Sequence, residues 1–220
     1  YIVGGGIRDM IKGLKPKDFD IVTNCEPEEI RKIFRNSRII GRRFKLVHIA
    51  FVDEIIEATT FRAGGTNTTE SIEINEKGRI VRDNNWGTQE EDVLRRDLTI
   101  NSIYYDPLSH EIIDYTKGIK DLKDKKIRFI GNSGERILED PVRILRALRF
   151  AAKLNFSIDQ EIADGIKEHK TQLLEMPPAR LYEEVIKMFM TGHAEQSFIQ
   201  LKAYGAVSYT HLTLPTTMWV

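Results

Sequence analysis

The chain holds one cysteine in 220 residues, Cys25, which excludes an internal disulfide framework and any zinc site built on several cysteines. Charge of one sign is missing too. Its 33 Lys and Arg offset 33 Asp and Glu, so no global basic field announces a nucleic-acid binder, and any such contact must come from local clusters. No apolar run approaches the roughly 20 residues that span a bilayer, and no signal-peptide pattern is present. A soluble, cytoplasmic protein with no membrane partner is expected. No internal repeat or heptad run is visible, which argues against a solenoid or coiled coil. What is present is a 41% hydrophobic content, enough for a substantial core, at a length that suits one domain and a smaller companion. Oligomeric state is left open.

Neither end reads as natural. The chain opens without methionine on an apolar, strand-like Tyr1-Ile2-Val3. Its other end, Ser208-Tyr209-Thr210-His211-Leu212-Thr213-Leu214-Pro215-Thr216-Thr217, resembles translated adapter sequence, so residues 206–220 are expected to be a non-native tail. A β-rich edge is the alternative.

Up to about residue 115, short β-rich runs at 19–23, 39–40, 45–51, 54–61 and 103–105 alternate with one helix pattern, which predicts a mixed α/β domain. The helix is expected over 27–34. Glu26, Glu28 and Glu29 stand near its start, Arg31, Lys32 and Arg35 towards its end, and Asn24 is a possible cap. Residues 63–86, rich in Gly, Asn, Thr and charge, are expected to be a mobile loop. From about residue 138 the apolar period becomes helical, with Ile144, Leu145, Leu148, Ala151 and Leu154 and then Leu181, Val185, Met188 and Phe189, and Pro177-Pro178 breaking the helices. The expected organisation is a mixed-sheet α/β (α+β) head over 1–125 and an all-helical neck over 126–205.

Five constellations carry chemistry. Gly4-Gly5-Gly6-Ile7-Arg8-Asp9 joins a strand to a helix; its glycines let phosphate approach the backbone and Arg8 adds a positive fork, although such a triplet also serves as a plain tight turn. In Asp18-Phe19-Asp20, strand geometry would set both carboxylates on one face and turn Phe19 into the core. Adjacent carboxylates repel, and paired oxygen ligands suit Mg²⁺ bridging to phosphates; a solvated turn is the bland alternative. The run 54–62 offers a third acid, Glu57, with Glu54 as its more solvated competitor, and ends in Arg62, which reaches a triphosphate or caps the following loop. Arg95-Arg96-Asp97-Leu98-Thr99-Ile100-Asn101 is the fourth. In the fifth, Glu139-Asp140-Pro141-Val142-Arg143, an acceptor and a planar donor could address the edge of a base; Arg143, Arg146 and Arg149 recur every three residues, as on a solvated helix face.

In this order, the motifs resemble the polymerase-β-like nucleotidyltransferase superfamily, in the branch (class II) of CCA-adding tRNA nucleotidyltransferases and bacterial poly(A) polymerases; the matching stretches lie within residues 1–155. The resemblance implies a template-independent enzyme extending an RNA 3′ end, of mRNA or tRNA, from ATP with release of pyrophosphate. It implies that Asp18, Asp20 and Glu57 hold two Mg²⁺ ions, that Gly4, Gly5 and Arg8 meet the triphosphate, and that Arg96 and Asp97 meet sugar and phosphates. Asp140 and Arg143 would read the base, with Arg146 and Arg149 holding phosphate or shaping the pocket. The stretch Ile39-Ile40-Gly41-Arg42-Arg43-Phe44-Lys45-Leu46-Val47-His48-Ile49 looks like the segment marking bacterial poly(A) polymerases, and the approach over 84–92 leans the same way. Arg42, Arg43 and Lys45, with His48, are RNA or triphosphate contacts on this reading and a charged strand edge on the other. The sequence is expected to be a fragment truncated at both ends, with the family's C-terminal body, which would supply most RNA contacts, among the missing parts. A CCA-adding enzyme is the nearest rival, then a small-molecule nucleotidyltransferase or a non-catalytic RNA-binding module.

Overall fold

The computed structural model describes residues 1–41, 45–63, 72–74, 80–83 and 85–210. The chain divides into two compact units, Tyr1–Lys120 and Asp121–Val220. The first runs β1 (Ile2–Val3), α1 (Gly5–Ile11), β2 (Asp20–Thr23), α2 (Pro27–Ile33), β3 (Ser37–Ile40), β4 (Leu46–Ala50), β5 (Ile55–Thr60), β6 (Ile72–Ile74), β7 (Ile80–Asp83), α3 (Gln89–Arg95), β8 (Tyr104–Asp106) and β9 (Glu111–Ile113), with α4 (Gly118–Lys123) leading onward.

Seven of these strands form one mixed sheet in the order β3-β4-β5-β2-β1-β8-β9. Every neighbouring pair is antiparallel except β2 and β5. Cross-strand partners point to the same side of a sheet, so the registers sort the side chains into two faces. One carries Ile21, Val47, Ile49 and Ala58, packed with Ile30 of α2. The other carries Val3, Val22 and Tyr104, packed with Phe61 and with Val93 of α3. Because both faces are apolar at the centre, strict in-and-out alternation is blurred in β2, where Asp20 and Val22 share a face.

Helix α2 begins one turn after β2, with Pro27 in its first turn and the Glu29 carboxylate accepting the Glu26 backbone N–H at 3.1 Å. Glu26, not Asn24, is therefore the cap. Asn24 is a favoured cap residue type, but it stands two residues before Glu26, whose reciprocal pairing with Glu29 satisfies the helix start. The expected loop over 63–86 also needs correction. Its described part contains an antiparallel ladder of β6 and β7, pairing Ile72 with Asp83, and a bridge from Arg62 to Trp86. The isoleucines of those runs outweigh the surrounding Gly and Asn bias.

Asp114 fixes the entry to α4. Its carboxylate accepts the backbone N–H groups of Thr116, Gly118 and Ile119 at 3.2, 2.9 and 2.9 Å. Gly118 is pressed so close to the preceding turn that an added Cβ would lie 2.2 Å from the Thr99 carbonyl oxygen. Gly118→Ala is expected to cost at least about 1–3 kcal/mol, read as a lower denaturation midpoint in urea with an unchanged slope.

The second unit runs β10 (Lys126–Ile127), α5 (Ser133–Glu139), α6 (Val142–Leu154), β11 (Ser157–Ile158), α7 (Gln160–His169), a 3₁₀ segment (Lys170–Glu175), α8 (Pro178–Phe189), α9 (Ala194–Ala203) and a 3₁₀ turn (Val207–Tyr209). It is helical but for the two-residue parallel pairing of β10 with β11. Helix α6 is its centre, with Ile144, Leu145, Ala147 and Leu148 fully buried, and it ends where Asn155 takes a left-handed turn at φ 55°. The arginine row on α6 is not a solvated face. Arg143 is only 6% exposed, and Arg149 donates through Nε to the buried Glu184 at 3.0 Å while lying over the Phe150 ring. Residues 211–220 of the expected tail lie outside the described residues. No described helix is long and apolar enough to cross a membrane.

Candidate active site

On one face of the first unit's sheet, Val93 of α3 packs over Val3, Val22 and Tyr104, while Asp20 at the start of the central strand β2 is exposed. Three side chains meet there through strand register alone. His48 on β4 pairs across to Glu57 on β5, and Glu57 pairs across to Asp20 on β2. All three therefore project to one side. His48 Nε2 lies 3.2 Å from Glu57 Oε1. Asp20 is crowded by protein although open to solvent; that desolvation first, then the charges of Asp18 and Glu57, push its carboxyl above the usual range, with Arg96 pulling it back. The acids thus sense one another electrostatically, which is what a cation-binding cluster requires.

Asp18 precedes the strand, which begins only at Asp20, so alternation does not govern residues 18 and 19. Phe19 is 42% exposed and not in the core, a correction to the strand reading; an added Cβ on Gly6 would meet its ring at 3.0 Å. The glycine turn sits directly against the acids. Gly4 holds φ 81° as it enters α1, and a Cβ on it would stand 3.4 Å from Asp20 Oδ2. Only glycine takes that backbone without strain and leaves the carboxylate edge uncovered. Gly5 opens α1 beside it.

Arg8 is buried. Its guanidinium donates to Asp9 Oδ1 at 2.8 Å and to Asn101 Oδ1 at 2.7 Å, tying the glycine motif to the end of the 95–101 motif. Arg96 works from the other side through Asp92, a residue the sequence reading passed over. Asp92 Oδ2 accepts from Arg96 and from the Tyr104 hydroxyl, at 3.0 and 2.7 Å, and Oδ1 from the Arg62 backbone at 3.3 Å. Burial, then Asp92, raises the Tyr104 phenol well above its ordinary value, Arg96 opposing. The signal for Asp92 was its place four residues before Arg96 on one helix face. Arg62 itself donates to the Lys45 carbonyl at 3.4 Å, and Lys45 Nζ pairs with Glu28 at 2.8 Å. Glu54 is exposed in the turn before β5, away from the register of Asp20. Asp97 follows the end of α3; Arg42 and Arg43 lie outside the described residues.

The neck candidates gather in the second unit. Asp140 terminates α5, and Arg180 of α8, which the sequence reading did not single out, donates to its Oδ2 at 2.6 Å. Arg143 donates to Glu139 Oε2 at 2.6 Å and to the Arg136 carbonyl at 2.7 Å. Arg146 lies on the same helix, partly buried. The Asp140 and Arg143 side chains are thus each held by a neighbour, while the Arg143 backbone N–H donates to the Asp140 carbonyl at 3.0 Å.

Among the described residues no three His, Cys, Asp or Glu side chains form a ready-made metal cage. Mg²⁺ does not need one: it is held by one or two carboxylates and completed by waters and substrate phosphates. The mutually repelling acids beside a bare glycine turn fit that requirement.

A sheet of this order, with acids on adjoining strands against a glycine turn, defines a nucleotidyltransferase-type head, and the chain belongs to the poly A polymerase head domain family, whose model matches residues 1–128. A second model, described as the probable RNA and SrmB-binding site of polymerase A, matches residues 155–213. The chain is 48% identical over 207 residues to poly(A) polymerase I of Salmonella typhimurium, covering 93% of this chain and 44% of that protein. It is 32% identical to a CCA-adding enzyme of Staphylococcus aureus, covering 95% of this chain and 50% of that one. Among solved structures, the Bacillus stearothermophilus CCA-adding enzyme in complex with CTP superposes with a TM-score of 0.80 at 29% identity, over 95% of this chain and 49% of that one. The chain spans about half the length of these relatives.

Proposed function

We propose that the protein is a template-independent RNA 3′-end nucleotidyltransferase that adds AMP from ATP and releases pyrophosphate. The observation that carries the chemistry is the register pairing of Asp20 with Glu57 on adjoining strands, beside Gly4 and within the field of Asp18. Asp18 and Asp20, with Glu57, would hold two Mg²⁺ ions. When bound, such ions acidify the attacking hydroxyl and neutralise charge on the transferring phosphate. The chain's own groups do the positioning. Gly4 and Gly5 leave room for phosphate oxygens at the backbone, and Arg8, braced by Asp9 and Asn101, keeps that turn in place. Arg96, held by Asp92 and Tyr104, supplies positive charge near Asp20, with Asp97 and Arg62 proposed at the sugar and phosphates. His48 orients Glu57. In the neck, Asp140 and Arg143 are proposed to read the base edge, preorganised by Arg180 and Glu139; Arg146 and Arg149 shape the surroundings.

Poly(A) addition is favoured over CCA addition by the higher identity to poly(A) polymerase I, 48% against 32%. The solved neighbour bound to CTP supports the second reading, a CCA-adding enzyme. Primer extension in Mg²⁺ separates them. Long tracts from ATP on a generic RNA, with CTP ignored, are expected; CTP use confined to tRNA lacking its 3′ end, stopping after a few additions, would establish the rival.

A further inference from the structure

Helix α7 and the end of α9 border an open cleft of about 520 Å³ within the second unit. Gln160, Asp164 and Lys167 come to it from one face of α7, at spacings of four and three residues. Lys170 enters from the following 3₁₀ segment, and Lys202 and Tyr204 from the end of α9. Three ammonium groups thus share one cleft with one carboxylate. That carboxylate, Asp164, accepts a hydrogen bond from Gln160 Nε2 at 2.9 Å, and among the described residues no ion pair is formed by Lys167, Lys170 or Lys202. The Lys170 Nζ lies against bare backbone, 2.9 Å from where a Cβ on Gly205 would stand.

Lysines near the ends of α7 and α9 also complement those helices' negative termini, and this would explain each one alone. It does not explain their convergence. Two helix termini carry roughly half a negative charge each, and with the Asp164 carboxylate they still fall about one charge short of the three ammonium groups. The positive surplus beside the Tyr204 ring matches a polyanion with flat bases.

We propose that this cleft binds the backbone of single-stranded RNA, with phosphates between Lys167, Lys170 and Lys202 and a base against Tyr204. The second family model covers the whole of 155–213, and the cleft assigns RNA contact to particular side chains within it. The proposal rests on the RNA reading of function for its ligand class only; binding here needs neither ATP nor Mg²⁺.

The test is fluorescence anisotropy with the full chain and a labelled single-stranded oligoadenylate, in EDTA, across a KCl series. The K167E/K202E variant is expected to weaken binding at least about tenfold at low salt. It should also reduce the slope of log affinity against log salt by about 1.4, since each phosphate contact on a single strand contributes roughly 0.7. K167R/K202R should bind within about threefold of the wild type, because charge is kept. Tyr204→Ala should lose about tenfold without changing the slope, as a stacking contact does. Unchanged affinity and slope in K167E/K202E would overturn the proposal, as would an equal loss in a K123E/K125E control bearing the same charge change elsewhere in the unit. Retained RNA affinity with loss of a protein partner would overturn it in favour of a protein-docking cleft. The anisotropy assay contains neither ATP nor Mg²⁺, so failure of the catalytic reading, seen in primer extension, and failure of the cleft, seen in binding, give different results.

Discussion

Asp20→Asn is expected to lower nucleotide addition by about a thousandfold or more while raising the thermal midpoint of the metal-free protein. The activity loss follows from removing charge where phosphate charge must be neutralised, an effect of several kcal/mol. The stability gain follows from linkage. Desolvation, Asp18 and Glu57 hold the Asp20 carboxyl above its ordinary value in the folded chain, so the folded state binds its proton more tightly than the unfolded state. The ionised group therefore costs stability above its unfolded value, and the cost disappears as pH falls through the raised folded value. Asparagine removes it at neutral pH. Thermal melting in EDTA at pH 7 and again in mild acid checks the sign: the gap between variant and wild type should shrink as pH falls. Added Mg²⁺ should raise the wild-type midpoint and leave the variant's nearly unmoved. A destabilised variant with normal transfer would remove Asp20 from the metal-binding role.

Glu184→Gln is expected to destabilise the second unit by about 1.5–3 kcal/mol, the worth of a charge-assisted hydrogen bond, since Glu184 accepts from Arg149 and also pairs with Lys187 at 3.5 Å. Arg149 Nε and Glu184 Oε2 are 3.0 Å apart, with side chains only 15% and 9% exposed. The amide keeps the shape and removes the countercharge, so packing loss cannot account for the change. Urea denaturation followed by far-ultraviolet circular dichroism reads it. A variant replacing both residues with apolar ones of similar volume should recover much of the loss, since the pair's desolvation cost vanishes with it. Near-wild-type stability in Glu184→Gln would mean that Arg149 finds solvent or another acceptor.

The strands and helix that hold the candidate residues were legible because their signals are local and of one period. The strand runs around Glu57 and Ile21 showed themselves through β-branched residues, and α6 through its apolar spacing. Phe19 was misplaced because alternation was extended across residues that precede the strand, where nothing enforces it. Asp92, Arg180 and the Glu57 partnership of His48 were hidden for another reason. Each acts on a residue brought close by folding, and a pairing such as Arg180 with Asp140 has no local spacing to betray it. The arginines of α6 misled in the opposite direction. A row of charges every three residues reads as solvated until an acid from another helix, Glu184, lies against it.

The one parallel pairing in the sheet, β2 with β5, has a consequence for how the protein comes into being. Antiparallel neighbours such as β3 and β4, or β4 and β5, are close in the chain and can zip from their turns. A parallel pairing cannot form that way; β2 must wait until the intervening helix and hairpin have been made and then be captured along β5. Asp20 and Glu57 are brought together in that late step. On the proposed metal-binding role, the emerging segment carrying Asp18 and Asp20 would lack its partner acid during synthesis, and the grip on a divalent ion would arrive all at once with closure of the sheet rather than building up as the ribosome delivers each motif.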